Sequence, residues 1–175
     1  MAIDLTDKVC LITGADEGLG FGTAMGFMKR GAKVATGLLN PDKFAERLAP
    51  AFTVKMDVTK PDEVEAAVAA VIEHYGRIDV LINNAGIYPR CPADEMTFED
   101  YQRLREINLD GSWRSCLAVI PHFKKQGSGV IINTGSITLR MGMANLAHYE
   151  STKGGILGIW YSRQLPPPWS RNDRR

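Results

Sequence analysis

Lys8-Val9-Cys10-Leu11-Ile12-Thr13-Gly14-Ala15-Asp16-Glu17-Gly18-Leu19-Gly20 is the stretch that decides the fold. Its first five residues are a short, mostly apolar run and read as a buried strand. Glycines at 14, 18 and 20 follow at once, and a helical pattern opens behind them. Glycine there permits a tight strand-to-helix turn and close approach of a ligand to the backbone. The helix N-terminus then offers free N–H groups and a positive dipole end to a pyrophosphate. Gly20 is followed by Phe21 and Gly22 rather than by Lys-Ser or Lys-Thr, so this is not a P-loop. An ordinary strand-to-helix turn is the bland reading. The position between strand and helix favours the ligand-binding one.

Outward from that stretch, strands and helices alternate, which argues for parallel βαβ units. The first helix is expected over residues 19–30, stopping before Gly31, a natural C-terminal glycine. A second strand is expected at 32–36. Asn40-Pro41 reads as an N-cap with proline at the first helical position, opening a short helix to residue 49. A third strand at 52–56 ends at Asp57-Val58. The next helix starts at Pro61, ends near Gly76, and puts Val64, Ala67, Val68, Val71 and Ile72 on one face. A fourth strand at 78–82 runs into Asn83-Asn84-Ala85-Gly86. Thr97-Phe98-Glu99-Asp100 resembles a capping box. The helix it opens is expected to reach about residue 126, through Asn108, with Gly111 and Pro121 as weak points. A fifth strand follows at 129–134.

Chemistry concentrates in three places. Tyr149-Glu150-Ser151-Thr152-Lys153 sets a phenol and an ammonium at i and i+4, on one helix face. A tyrosine ordinarily holds its proton to about pH 10. A fixed cation favours the phenolate and lowers that value, which describes a proton donor tuned for neutral pH. Small residues and amides at 83–86, at a strand's carboxyl end, suit a ligand lying across the sheet edge. Asp57 ends a strand as well; it serves either as a turn or capping residue or as acceptor for a base amino group.

In order and spacing, the glycine turn, Asp57-Val58, Asn83-Asn84-Ala85-Gly86, Asn108, Ser136 and Tyr149/Lys153 resemble the short-chain dehydrogenase/reductase family, from about residue 5 to 158. The resemblance implies a Rossmann-like, doubly wound α/β fold: a parallel sheet of order 3-2-1-4-5 in three αβα layers, with a cofactor across the carboxyl ends of strands 1 and 4. It implies a nicotinamide cofactor and a small alcohol or ketone substrate. By the same resemblance, Tyr149 looks like the acid/base, and Lys153 like the group that lowers its pKa and holds the nicotinamide ribose. Ser136 looks like the donor that polarises the carbonyl, and Asn108 like the holder of a relay water. Gly14, Gly18, Leu19 and Gly20 match the pyrophosphate turn, and Asp57 and Val58 the adenine contacts. Asn84, with Ala85 and Gly86, matches the motif supporting the central strand and cofactor. Helices at 98–126 and 147–164 form the subunit interface in that family, so a homo-oligomer is expected.

Composition narrows the classes further. The chain has 175 residues, 45% of them hydrophobic, with net charge +1. That is enough for one domain with a real core, and it suggests neither disorder nor a nucleic-acid footprint. The N-terminus lacks an apolar signal region and no run approaches spanning length, so no membrane partner is expected. Cys10, Cys91 and Cys116 form no CxxC and cannot all pair, which suggests reduced thiols and a cytoplasmic location. Cys10 and Cys116 read as packing residues; Cys91, in a loop, reads as incidental. No His, Cys or carboxylate cluster has metal-ligand spacing.

The C-terminal stretch departs from the family. Three prolines at 166–168 must end the last helix, and the following residues are basic and Trp-bearing. The expected division is a dinucleotide-binding and catalytic domain at 1–165 and an irregular tail at 166–175. A typical family member continues with two further strands, so a truncated or frameshifted chain is expected. Strand 5 would then be an exposed apolar edge. The region at 36–40 carries neither an acid for a ribose hydroxyl nor a base for a 2′-phosphate. Glu17 in the turn would repel phosphate, which favours NAD over NADP. Loops at 87–93 and 137–147 should border the substrate, with Arg90 and Arg140 as ordinary solvated residues. His148, beside Tyr149, reads as structural. The alternative to an active enzyme is an inactive dinucleotide-binding fragment or an oligomerisation module.

Overall fold

A computed structural model describes residues 3–161, without the side chains of Trp160 and Tyr161. The tail expected at 166–175, and the proline run within it, lie outside the described residues. Five strands form one parallel sheet in the order β3-β2-β1-β4-β5. They are β1 (Val9–Thr13), β2 (Lys33–Leu38), β3 (Phe52–Lys55), β4 (Val80–Asn83) and β5 (Val130–Asn133). β1 is central, and every residue of it is buried. A strand covered on both faces needs an unbroken apolar run, and Val-Cys-Leu-Ile supplies it.

Alternation along the strands builds two cores. Val9, Leu11, Leu81 and Val54 face one side, packed with Val64, Val68 and Val71 of α3 (Pro61–Tyr75) and Cys116, Val119 and Phe123 of α5 (Gly111–Gln126). Cys10, Ile12, Val34 and Ile82 face the other, against Ala24 of α1 (Gly18–Met28) and Leu48 of α2 (Pro41–Leu48). These are the three layers expected from the sequence. Burial pushes the Cys10 thiol up to about 12 and the Cys116 thiol up to about 11, so both act as packing groups.

Several element bounds differ from the reading of the sequence. α1 stops at Met28, because Arg30 N–H bonds Phe27 O and Gly31 N–H bonds Met28 O in a tightened last turn. Gly31 then takes φ +86. β2 runs on to Leu38, since Gly37 and Leu38 pair with Val54 and Lys55 of β3. Asn40 makes no side-chain cap hydrogen bond, although Pro41 does open α2. The Thr97 capping box is present in full at the start of α4 (Phe98–Arg105). The single helix expected from 98 to 126 is instead α4, a π turn at Glu106–Asp110, and α5. Gly111 marks that junction: a Cβ there would lie 2.7 Å from Val58 Cγ2, so only glycine lets the helix press on the β3–α3 loop. The loop expected at 137–147 contains a short helix, α6 (Thr138–Met141), before α7 (Ala147–Tyr161). α7 packs on α4 and the π turn.

Candidate active site

The carboxyl ends of β1, β2, β3 and β4 open into a cleft of ≈ 670 Å³. Gly14, Leu19, Gly20, Asp57, Val58, Asn84, Ala85 and Gly86 all line it. Gly14 sits at φ +63, and Gly18, at φ +56, starts α1. A side chain at position 20 would collide with the Gly14 carbonyl and the Asn84 amide. The N-terminus of α1 has no side-chain cap and no acid in its first turn, and its Leu19 and Gly20 line the cleft. A turn in which Gly14 and Gly20 leave no room for a Cβ, beside an uncapped helix start, fits a diphosphate.

Asn84 locks the turn to the sheet. Its Nδ2 donates to Thr13 O at 3.0 Å and Gly14 O at 2.7 Å. Thr13 Oγ1 accepts in return from the backbone N–H groups of Asn84 and Ala85, each at 3.0 Å. Sequence reasoning missed Thr13. Its signal was present: it is the last residue of the strand, directly before the glycine turn.

Asp57 is a turn residue at the edge of the cleft. Its Oδ1 accepts from Thr59 N–H at 2.9 Å and Thr59 Oγ1 at 2.7 Å, which makes it a turn residue, yet it also lines the cleft. Burial alone would raise this carboxyl. The Thr59 hydrogen bonds, with Lys60 and Lys55, outweigh burial and hold it below its ordinary value.

The cleft reaches Ile87, and there it meets Asn108. Asn108 is 1% exposed and sits in the π turn. Its Oδ1 accepts from Ile87 N–H at 2.8 Å and its Nδ2 donates to Ile87 O at 2.9 Å. Next in sequence, Tyr88 packs edge-on against Tyr149, with ring centroids 4.6 Å apart at 86°. Tyr88 also escaped the sequence reading, because its partner lies far along the chain.

α7 carries Tyr149 and Lys153 at i and i+4. Lys153 Nζ lies 5.7 Å from the Tyr149 ring centroid and donates to Thr134 O at 2.7 Å. Lys153 is only 5% exposed, and that burial lowers the pKa of its ammonium. The Tyr149 hydroxyl makes no hydrogen bond to the described residues. Ser136 Oγ shares a 2.8 Å hydrogen bond with Thr138 Oγ1 and accepts from Thr138 N–H at 3.2 Å. Ser136 and Lys153 line a second cavity of ≈ 600 Å³ between β5, α6 and α7. Of the residues expected at the cofactor, Gly14, Leu19, Gly20, Asp57, Val58, Asn84, Ala85 and Gly86 share one cleft; Gly18, Tyr149 and Lys153 are not in its lining, and Lys153 borders the second cavity with Ser136.

Arg140 is exposed and borders the second cavity; Arg90 is exposed. His148 is buried, with Nδ1 unpartnered among the described residues. Cys91 is half-buried in its loop. Among the described residues no group of three or more His, Cys, Asp or Glu could hold a metal ion. Among them, too, no helix is long and apolar enough to cross a membrane.

These features define a Rossmann-like, doubly wound α/β protein with its ligand cleft at the topological switch point of the sheet. The chain belongs to the short chain dehydrogenase family, whose model matches residues 8–165. It is 35% identical over 162 residues to a 3-oxoacyl-acyl-carrier-protein reductase of Thermotoga maritima, covering 89% of this chain and 66% of that protein. It is 37% identical over 166 residues to a galactitol 2-dehydrogenase of Agrobacterium fabrum, covering 92% of this chain and 65% of that one. Its fold matches the 3-ketoacyl-acyl-carrier-protein reductase of Brucella melitensis, solved with NADH, at a TM-score of 0.84 and 35% identity. That match covers 89% of this chain and 68% of that one. The chain thus spans about two thirds of the length of the curated relatives it matches.

Proposed function

We propose that this chain carries the site of an NAD(P)-dependent oxidoreductase that interconverts a secondary alcohol and a ketone. One observation carries the reading: a continuous path from the glycine-turn cleft, through Ile87 clamped by Asn108, to Tyr88 packed on Tyr149. Gly14, Gly18, Leu19 and Gly20 would hold the pyrophosphate, and Asp57 and Val58 the adenine. Asn84, Ala85 and Gly86 would line the nicotinamide side. A nicotinamide cofactor held by these residues would supply or accept the hydride. Tyr149 passes the proton to or from the substrate oxygen, and Ser136 donates a hydrogen bond to that oxygen. Lys153 brings a positive charge to the phenol and holds the nicotinamide ribose. Asn108 anchors the loop beside the reacting oxygen and holds the relay water.

NAD is the favoured cofactor over NADP. Asp16 and Glu17 border the cleft and would repel a 2′-phosphate. Arg47 lies over the Phe21 ring and bonds Asp16 O, so its charge is engaged at the turn. The substrate is a small alcohol or ketone. A homo-oligomer is supported by Phe98 and Leu117, large apolar side chains exposed on α4 and α5. Three free thiols support a reducing, cytoplasmic setting.

The share of its relatives that the chain spans, about two thirds, favours a second reading, a dinucleotide-binding fragment without turnover. One experiment tests both. Tyr149→Phe should lower NADH-linked ketone reduction about 100- to 10,000-fold while NADH fluorescence on binding persists. Equal turnover by the variant would remove Tyr149 from the chemistry. Binding without turnover in the unsubstituted chain would select the second reading.

A further inference from the structure

Tyr88 stands outside every role assigned above, yet it touches the proposed proton donor. Its ring meets Tyr149 edge to face at 4.6 Å and 86°, and it is 47% exposed. Its backbone is fixed from both sides. Ile87, immediately before it, is held through both N–H and C=O by the Asn108 amide. Three residues on, Cys91 N–H bonds Asn145 O at 3.0 Å. That second segment is itself tied to α7: Met143 N–H bonds Glu150 Oε1 at 3.1 Å, and Glu150 N–H bonds Leu146 O at 2.8 Å. The loop at 87–91 is therefore pinned at one end by the π turn and at the other by the lead-in to the tyrosine's own helix.

We propose that Tyr88 is a positioning residue for Tyr149, fixing the phenol's ring plane so that its hydroxyl meets the substrate oxygen. This rests on the oxidoreductase reading for its kinetic consequence, though not for the ring contact itself. Tyr149 has no hydrogen bond to the described residues through its hydroxyl, so ring contacts set its direction. Proton transfer demands an oxygen within hydrogen-bond reach, and about 1 Å of misplacement can cost a hundredfold in rate. An edge-to-face aromatic pair biases such an equilibrium by up to about tenfold.

The test compares Tyr88→Ala with Tyr88→Phe, using chains carrying 13C-labelled tyrosine, with Tyr149 assigned through Tyr149→Phe. Loss of the neighbouring ring should move the Tyr149 ring resonances in Tyr88→Ala, and Tyr88→Phe should hold them near their original positions. In turnover, Tyr88→Ala should lose roughly tenfold in kcat, with NADH affinity unchanged, and Tyr88→Phe should stay within about twofold of the parent. A Tyr149 signal indifferent to Tyr88→Ala overturns the proposal, as does a phenylalanine variant no better than alanine. Circular dichroism and urea midpoints identify a variant that fails to fold, and Tyr88→Phe then decides through its resonances. If the parent chain binds NADH without turnover, the hydride-transfer reading fails while the resonances still test the Tyr88–Tyr149 ring contact.

Discussion

Lys153 must keep an ammonium inside the protein at 5% exposure, with the Thr134 carbonyl as its hydrogen-bond acceptor. Burial penalises the charged form, so its pKa in the folded chain lies below the value of about 10.4 that it has when unfolded. Between those two values the unfolded chain binds more protons, and stability rises with pH. The penalty is therefore complete below the folded pKa and gone above the unfolded one. Lys153→Met lacks this titration. In urea denaturation, the parent should gain on Lys153→Met between neutral pH and about pH 10.5. A stability difference that stays flat over that window would mean that Lys153 titrates as it does in water. The site residues legible without the family resemblance share a property with Lys153 and Tyr149: their relation is local, set by i,i+4 spacing or by a turn, whereas Ser136 and Asn108 were identified through that resemblance. Thr13 with Asn84, and Tyr88 with Tyr149, are pairs made only by the folded topology, and no window of sequence contains both partners.

Helix ends separate residue type from realised geometry. Thr97 and Asp100 bond each other's backbone reciprocally: Asp100 N–H to Thr97 Oγ1 at 3.1 Å and Thr97 N–H to Asp100 Oδ2 at 3.1 Å. Asn40 has the right chemistry for the same task, yet its backbone sits at φ -132, ψ 77, and it makes no cap bond. Thr97→Ala should cost about 1 kcal/mol by urea denaturation, and Asn40→Ala should cost close to nothing. Equal losses at the two positions would contradict this assignment. The buried face of α3 was readable because hydrophobic period fixes it, and strand order and layers came from crossover rules together with the family resemblance. The π turn was not, and the close seat of Gly111 on Val58 at its end joins residues 53 positions apart (111 − 58) in sequence. That turn matters to the site, because Asn108 lies within it.

At the scale of the whole molecule the sheet is protected on one side and open on the other. β3, at one edge, is short and carries the exposed Lys55. β5, at the other, exposes Val130 at 52% and Ile132 at 43%. Val130 N–H bonds Asp79 O and Thr134 N–H bonds Asn83 O, so the alternation of a strand turns the main-chain groups of Ile131 and Asn133 to the free side. An apolar edge with free backbone donors and acceptors is a template for another strand. Self-association of the residues described here should therefore run through β5 and compete with any assembly through α4 and α5. Val130→Lys puts a charge on that edge, remote from the glycine-turn cleft. Two such edges meeting would set like charges against each other. Sedimentation velocity should show association weakened about tenfold for Val130→Lys, with NADH affinity unchanged. If the variant associates as strongly as the parent, the contact lies elsewhere, and Leu117→Lys on α5 becomes the substitution that weakens it.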